Sequence, residues 1–473
     1  MLCVPPTARP PHDPPTPHPN PRAPTPPSSN RDTETWQFPG VLLTHPDTAQ
    51  TLLDYRTARL PGARDKAASY SPPFAGAMFP WESALTGEET CPTWAPTGLR
   101  EVHINGDIAI AVWTMWRALG GDSGGWLNTT AWPLLSGIAD FWMSKLALDN
   151  AGAPAGAPLS ILNVIPPDEY ADHKNNSAYT NHGAIQTLTY AAAVARLLGE
   201  PNATAAAWED AARRIVRPHN ASGAAGGWTP EFDGYKEGTV IKQADVILLG
   251  FPIEADWVSP ATRANNLLIY QNSTDAGGPA MTWGMFSVGF VELGAGYEAA
   301  AAANFNRSFA NAQPPFLVWT ETPSGGTANF LTGAGGFLQT AFQGYTGLRV
   351  NDTALALRPQ LPEGAGTVKL RGVAYRGARL DISFNVTTLV IEVVAEAAEA
   401  PAPAPAAPCA LCMAPAGAPA AARSQVGRVM MRGGAWRVAA QALEVVDAAG
   451  AAHALAPGAP VALPRQAVAV VAA

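Results

Sequence analysis

The sequence is short of charge, cysteine and long apolar runs, and each shortage closes off a class of function. Only 14% of the 473 residues are charged and the formal net charge is −8, so no basic surface for a nucleic acid is expected. There are four cysteines, two of them in Cys409-Ala-Leu-Cys412 within an Ala/Pro tract, and they make no convincing disulfide framework or metal site. No run of about 18 apolar residues is present, so no transmembrane helix and no membrane partner are expected. Residues 1–31 are crowded with proline and lack the apolar core of a signal peptide. Gly333-Ala334-Gly335-Gly336 fits neither a phosphate-binding loop nor a dinucleotide fingerprint, which disfavours nucleotide binding.

What the chain does have is apolar mass. A hydrophobic content of 47% over this length suffices for two or three domains with a large core. Fourteen tryptophans are enough to pack a core and still leave faces for stacking on sugars. Asn-X-Ser/Thr sequons stand at Asn128, Asn175, Asn202, Asn220, Asn272, Asn306, Asn351 and Asn385. With sequons present and no signal peptide, the sequence selects neither a cytoplasmic nor a secretory or lysosomal location.

Three stretches of different character follow one another. Residues 1–31 cannot form a core and are expected to be disordered. From 32 to 348 the pattern is repeatedly helical, with polar or glycine-rich loops between helices. Ile108, Val112, Met115 and Leu119 share one face of a helix over 107–119, stopped by Gly120-Gly121. Ile185, Leu188, Ala192, Ala195 and Leu198 do the same over 181–198, before Gly199 and Pro201. Further helices are expected near 47–60, 132–148, 203–216, 260–270, 285–303 and 333–343, with no self-similarity visible between them. Such an alternation suggests a helical array or barrel whose loops carry the site. From 349 to 473 the reading changes to strands, at 367–373, 380–384 and 388–393 and again within 427–447 and 460–472. An almost pure Ala/Pro segment, 396–425, is expected to be a disordered insertion in that β part.

Chemistry concentrates in the loops. Pro167-Asp168-Glu169-Tyr170, followed by Asn175 to Asn181, joins two carboxylates, an aromatic and several amides just before a helix. Those are the groups that grip a sugar and cut its glycosidic bond. Glu169 is the candidate general acid, if Asp168 and Tyr170 supply surroundings that hold its proton. Glu321, in Leu317-Val318-Trp319-Thr320-Glu321, could activate a water from across a pocket; its other reading is a carboxylate at a helix start. An inverting site needs roughly 6.5–9.5 Å between the carboxyls and a retaining one about 5–5.5 Å. Asp32-Thr33-Glu34-Thr35-Trp36, Phe79-Pro80-Trp81-Glu82, Glu101 to Asp107 and Lys242-Gln243-Ala244-Asp245 mix carboxylates, aromatics and amides in the same way. Each could equally be a cap or a packing element.

In this order, these segments together with Pro279-Ala280-Met281-Thr282-Trp283 resemble glycoside hydrolase family 65 over roughly 32–395. Pro230-Glu231-Phe232-Asp233-Gly234-Tyr235 and Val318-Trp319-Thr320-Glu321 look most like the branch that acts on hydroxylysine-linked glucosyl-galactose. The resemblance implies a mainly α fold: an (α/α)6 barrel, incomplete at its N-terminal end, followed by a small C-terminal β-sandwich-type domain. It implies an inverting glycosidase that releases glucose from an α-glucoside, with Glu169 as general acid and Glu321 as general base. Asp32, Trp36, Trp81, Glu82, Lys242 and Gln243 would bind the sugar, and the chemistry would need no metal or organic cofactor. A disaccharide phosphorylase or trehalase of the same family and an inactive carbohydrate-binding remnant are the alternatives. The chain departs from the family in three places. A proline-rich stub replaces the family's β-sandwich ahead of the barrel, Arg31 stands where Trp is usual before the first motif's Asp, and Ala171 stands where His is frequent.

Overall fold

In the computed structural model, which describes residues 29–30, 32–121, 125–396, 443–465 and 468–472, several helices begin at proline or a capping serine and some stop at glycine. Helices α1 (Phe38–Thr44), α2 (Pro46–Ala58) and α3 (Leu60–Ala68) each carry proline in the first turn, where a missing N–H breaks no helical bond. After a single turn, α4 (Thr97–Arg100), come α5 (Ile104–Leu119) and α6 (Trp132–Asp149). The Ser177 hydroxyl accepts the Thr180 N–H at 3.2 Å and caps α7 (Ala178–Leu198). As the sequence indicates, α5 and α7 end on left-handed glycines, Gly120 at φ +74° and Gly199 at φ +75°. Then follow α8 (Asn202–Arg214), α9 (Pro260–Ser273), α10 (Met281–Leu293), α11 (Glu298–Ser308) and α12 (Leu331–Gln339). The one helix expected over 285–303 is in fact two, α10 and α11, because Gly294 and Gly296 take positive φ and turn the chain between them.

Two glycine contacts set the helix spacing near the site. A Cβ on Gly106 would stand 2.7 Å from the Cα of Gly183, so α5 and α7 touch backbone to backbone. A Cβ on Gly284 would stand 2.5 Å from the Gly336 carbonyl oxygen, which brings α10 equally close to α12. One buried apolar cluster runs through the helices of the first half and on into the C-terminal strands. A second centres on α10 and the Val246–Leu249 turn.

Two small sheets lie within the helical part. Strand β1 (Ser29–Asn30) pairs with β2 (Glu82–Ser83), so residues 29–30 are ordered where the sequence suggests a structureless stub. Strands β3 (Ala312–Gln313), β4 (Val318–Thr322) and β5 (Gly325–Ala328) form an antiparallel three-stranded sheet between α11 and α12. Beyond 348 the strands are β6 (Arg349–Val350), β7 (Ala354–Leu357), β8 (Thr367–Tyr375), β9 (Ala378–Asn385), β10 (Thr388–Glu396), β11 (Leu443–Val446), β12 (Ala452–Leu455), β13 (Val461–Pro464) and β14 (Val468–Ala472). They make two antiparallel sheets, in the orders β13-β10-β9-β8 and β12-β11-β14-β7-β6. The three strands expected at 367–373, 380–384 and 388–393 are β8, β9 and β10. Strand β9 buries Ala378, Leu380, Ile382 and Phe384 and leaves Arg379, Asp381 and Ser383 half-exposed, the alternation of a strand with one covered face. The molecule is therefore helix-rich with a C-terminal β-sheet region. The expectations for 1–28 and 31, for 397–425 and for strands over 427–442 fall outside the described residues.

Candidate active site

The first wall of the site is the turn Thr33–Gln37 that leads into α1. Asp32 is buried, and its Oδ2 accepts the Thr332 hydroxyl at 3.0 Å. Glu34 is buried and paired with Arg56, which binds both its oxygens, at 2.7 and 2.9 Å. Trp36 is buried, and its carbonyl accepts Gln339 Nε2 at 2.8 Å. Gly335 makes that approach possible, since a Cβ there would lie 2.3 Å from the same carbonyl oxygen. The glycine-rich start of α12 thus serves packing.

Behind this wall lies a buried ionic network. His103 Nδ1 contacts Asp107 at 2.7 Å and Nε2 contacts Glu101 at 3.1 Å, while Tyr179 donates its hydroxyl to Asp107 at 2.7 Å. Burial by itself would depress the His103 imidazole, but the two carboxylates outweigh it and raise it to about 10. The Glu101 to Asp107 segment is therefore mostly bound to itself.

The Asp168-Glu169-Tyr170 loop divides its side chains by destination. Asp168 turns inward, and one of its oxygens accepts the Lys242 N–H at 2.7 Å and the Tyr170 N–H at 3.1 Å. Tyr170 is 58% exposed and donates its hydroxyl to Asp275 at 2.9 Å. Glu169 Oε2 meets Lys242 Nζ at 2.6 Å with 18% of its side chain exposed, so an ammonium faces it where the sequence suggests Asp168 and Tyr170. Gln243 Nε2 donates to the Pro167 carbonyl at 2.5 Å. Beneath these groups sit two more acids, Glu231 and Asp245, both fully buried. Asp245 accepts the Asp168 N–H at 3.2 Å. Burial raises the Asp168 carboxyl to about 6 against the pull of the two amides it accepts. It raises Asp245 to about 8, opposed by the Asp168 amide.

Glu321 lies on β4, not at a helix start. Its carbonyl accepts the Ala280 N–H at 2.9 Å and Asn311 Nδ2 at 3.1 Å, and its carboxylate accepts the Thr327 N–H at 3.2 Å. The next residue, Met281, lines a cavity of about 10 Å³ with Asp32, Trp36, Gln243, His103 and Tyr179. That is room for about one water. Asp32, Trp36 and Gln243 are thereby brought together, and Glu169 and Lys242 adjoin them through Pro167 and Gln243. Trp81 and Glu82 are not in that lining: Trp81 packs on the main core, and Glu89 holds both backbone amides, at 2.8 and 3.0 Å. Thr332, Tyr179, Glu231 and Asp245 are the neighbours that reading the sequence misses. The last three stand within the motifs, but residue type alone does not reveal burial. No group of acidic, His or Cys side chains suited to a metal occurs among the described residues.

Residues 30–237 match the glycosyl hydrolase family 65 central catalytic domain, and 348–402 match that family's C-terminal domain. Protein-glucosylgalactosylhydroxylysine glucosidase of Dictyostelium discoideum is 44% identical over 367 residues, 77% of this chain and 50% of the relative. The Mus musculus protein of the same name is 38% identical over 367 residues, 77% of this chain and 51% of its own length. Kojibiose hydrolase of Flavobacterium johnsoniae is 38% identical over 325 residues, 68% and 44% of the two chains. A solved structure described as a kojibiose phosphorylase from human microbiome superposes with a TM-score of 0.67 at 15% identity, over 93% of this chain and 60% of that one, and shows likeness of fold. The chain spans about half the length of the curated relatives it matches. On these matches the chain belongs to glycosyl hydrolase family 65.

Proposed function

We propose that this chain hydrolyses an α-glucoside with inversion, releasing glucose from glucosyl-galactosyl-hydroxylysine units as the names of its relatives indicate. In this reading residues 32–348 are an (α/α)6 catalytic barrel, and 349–473 are a β-sandwich-type domain carrying the Ala/Pro-rich insertion. The observation that carries it is a contrast among the acids. Among the acids of the motifs, Glu34, Glu101, Asp107, Asp168, Glu231 and Asp245 are buried, whereas Glu169 and Glu321 keep part of their surface open. Glu82 and Asp233 are open too, but Glu82 stands off the Asp32–Trp36–Gln243 cavity and Asp233 accepts Asn176 Nδ2. Buried carboxyls can position other groups, but only an accessible one can exchange a proton with a bound sugar.

Glu169 gives its proton to the glycosidic oxygen as the C1–O bond breaks. Glu321 takes a proton from a water whose oxygen bonds to C1 from the opposite face, so glucose leaves as the β-anomer. Lys242 exchanges its contact with Glu169 for sugar hydroxyls, which frees the acid to meet the leaving oxygen. Asp32, Trp36 and Gln243 hold the glucose, with Trp81 and Glu82 further out. Glucose is larger than the one-water cavity these three residues line here, so that lining must open on binding. The reaction consumes only water and needs no cofactor.

The test is incubation of the protein with glucosyl-α-1,2-galactosyl-hydroxylysine, kojibiose and trehalose, with and without phosphate, read by NMR from the earliest time points. Free β-glucose independent of phosphate is expected. Replacing Glu169 or Glu321 by Gln should each cost about 10²–10⁴-fold in kcat. Glucose 1-phosphate formed only with phosphate, or near-normal turnover by either variant, overturns the assignment.

A further inference from the structure

Glu231 has no place in the chemistry above, yet it is fully buried directly under the acid loop. Among the described residues no donor lies within hydrogen-bond distance of either of its carboxyl oxygens. Its hydrogen-bonding neighbour is another carboxyl, that of Asp168. Two carboxyls in contact and away from water cannot both be ionised, because repulsion adds to the cost of desolvating each. The proton belongs on Glu231. Burial raises it well above the ordinary range, and the charges of Asp245 and Asp168 raise it further against the pull of Lys174. Asp168 already accepts two backbone N–H groups, which stabilise its ionised form.

Those two amides belong to Tyr170, the residue after Glu169, and to Lys242, whose ammonium contacts Glu169. A single oxygen thus ties the acid's own loop to the segment that faces it. Asp245 takes the N–H of Asp168 itself, so Asp168 is held at both ends.

We propose that Glu231 and Asp168 form a buried carboxylic acid–carboxylate pair that positions the acid Glu169, with Glu231 donating a hydrogen bond to Asp168 and Asp168 gripping the amides of Tyr170 and Lys242. Both are positioning residues that never touch the substrate. The inference rests on the reading of Glu169 as the general acid.

The test compares kojibiose, whose leaving sugar needs a proton, with α-glucosyl fluoride, whose fluoride leaves without one. Asp168→Asn weakens the grip, and kcat on kojibiose should fall about 10²-fold, the loss expected when a reacting group is displaced by about 1 Å. Turnover of the fluoride should stay within about 3-fold of wild type, since proton donation carries that order of magnitude on its own. Glu231→Gln keeps a neutral donor toward Asp168 and should retain kojibiose turnover, whereas Glu231→Leu should behave as Asp168→Asn does. Equal losses on both substrates, or a Glu231→Gln variant as damaged as Glu231→Leu, overturn the proposal in favour of a general role in folding. The pair also has a readout that needs no activity. Asp245 and Glu231 both contribute to the infrared C=O stretch of protonated carboxyls at neutral pH, and one component of it should be lost in Glu231→Gln but retained in Asp245→Asn. A wild-type chain inactive on both substrates removes the role given to Glu169, and the infrared band then decides the pair by itself.

Discussion

Glu169 and Glu321 sit on segments built in opposite ways, the first over buried charge and the second on an open hairpin. Under Glu169, three buried carboxyls from three separated stretches, Asp168, Glu231 and Asp245, face each other and the backbone amides of the loop. Around Glu321 the hydrogen-bond partners are main-chain amides and one side chain, the Asn311 amide. Strand β5 is mostly exposed, Phe316 at the turn before β4 is 86% exposed, and the anchor is the carbonyl bonded by Ala280 and Asn311. Glu169 is therefore placed by long-range side-chain electrostatics, and Glu321 by strand pairing and by the Ala280 amide on its carbonyl. A loop of the first kind is rigid but sensitive to charge, because a buried charge without its partner is expensive. One of the second kind tolerates change at its surface.

The largest effect expected from this contrast is on leaving-group dependence. The Glu169→Gln variant should still turn over α-glucosyl fluoride, because no proton is needed there. The Glu321→Gln variant should lose both substrates, because both reactions need an activated water. Equal behaviour of the two variants would remove the distinction between acid and base. Next comes the scaffold under the acid loop. Gly106→Ala would press a methyl against Gly183, and chemical denaturation should show a loss of about 1–3 kcal/mol, as overpacking in a tight core produces. An unchanged midpoint would mean that α5 and α7 can separate freely.

A smaller effect follows from pH. Asp245 titrates near 8 in the folded chain against an ordinary carboxylate value of 3.8, so between those limits the folded state holds a proton that the unfolded state has released. Stability from this group is full below about 4 and falls as pH rises through 8. Asp245→Asn should leave the melting temperature unchanged near pH 4 and raise it above wild type at pH 8; a variant less stable at pH 8 would contradict this. The smallest effect belongs to the hairpin. Phe316→Ala should alter stability by less than about 0.5 kcal/mol by calorimetry, as removal of an exposed side chain does. A larger loss would show that the Glu321 hairpin has a further tertiary anchor at its tip.

Local chemistry was legible wherever it is local in the fold. Serine and proline starts, left-handed glycine stops and the period-two alternation of β9 act within a few residues, so α5, α7 and the strands from 367 onward could be read directly. The break between α10 and α11 was not recognised, because apolar residues continue on both sides of Gly294 and Gly296. The strand under Glu321 was missed for a different reason: Trp319-Thr320-Glu321 suits a helix start as well as a strand, and the hairpin forms by pairing with 312–313 and 325–328. The family motifs carried Asp32, Glu169, Lys242, Gln243 and Glu321 in order, though the motif containing Trp81 and Glu82 sits outside the cavity lined by Asp32 and Trp36.

The sequence by itself determined the helix-rich body, the strands that follow it, and the kinds of group offered to a sugar. Each of these depends on composition or on spacing along one element. Only the tertiary structure decided which acids remain reachable and which are buried. Asp168 and Glu169 are neighbours in the chain, yet one faces a desolvated carboxyl and the other a lysine ammonium at the surface. Solvation and charge partners at a point in space come from elements 60 to 80 residues apart, as Asp168 with Glu231, Lys242 and Asp245 demonstrate, and no local pattern encodes them.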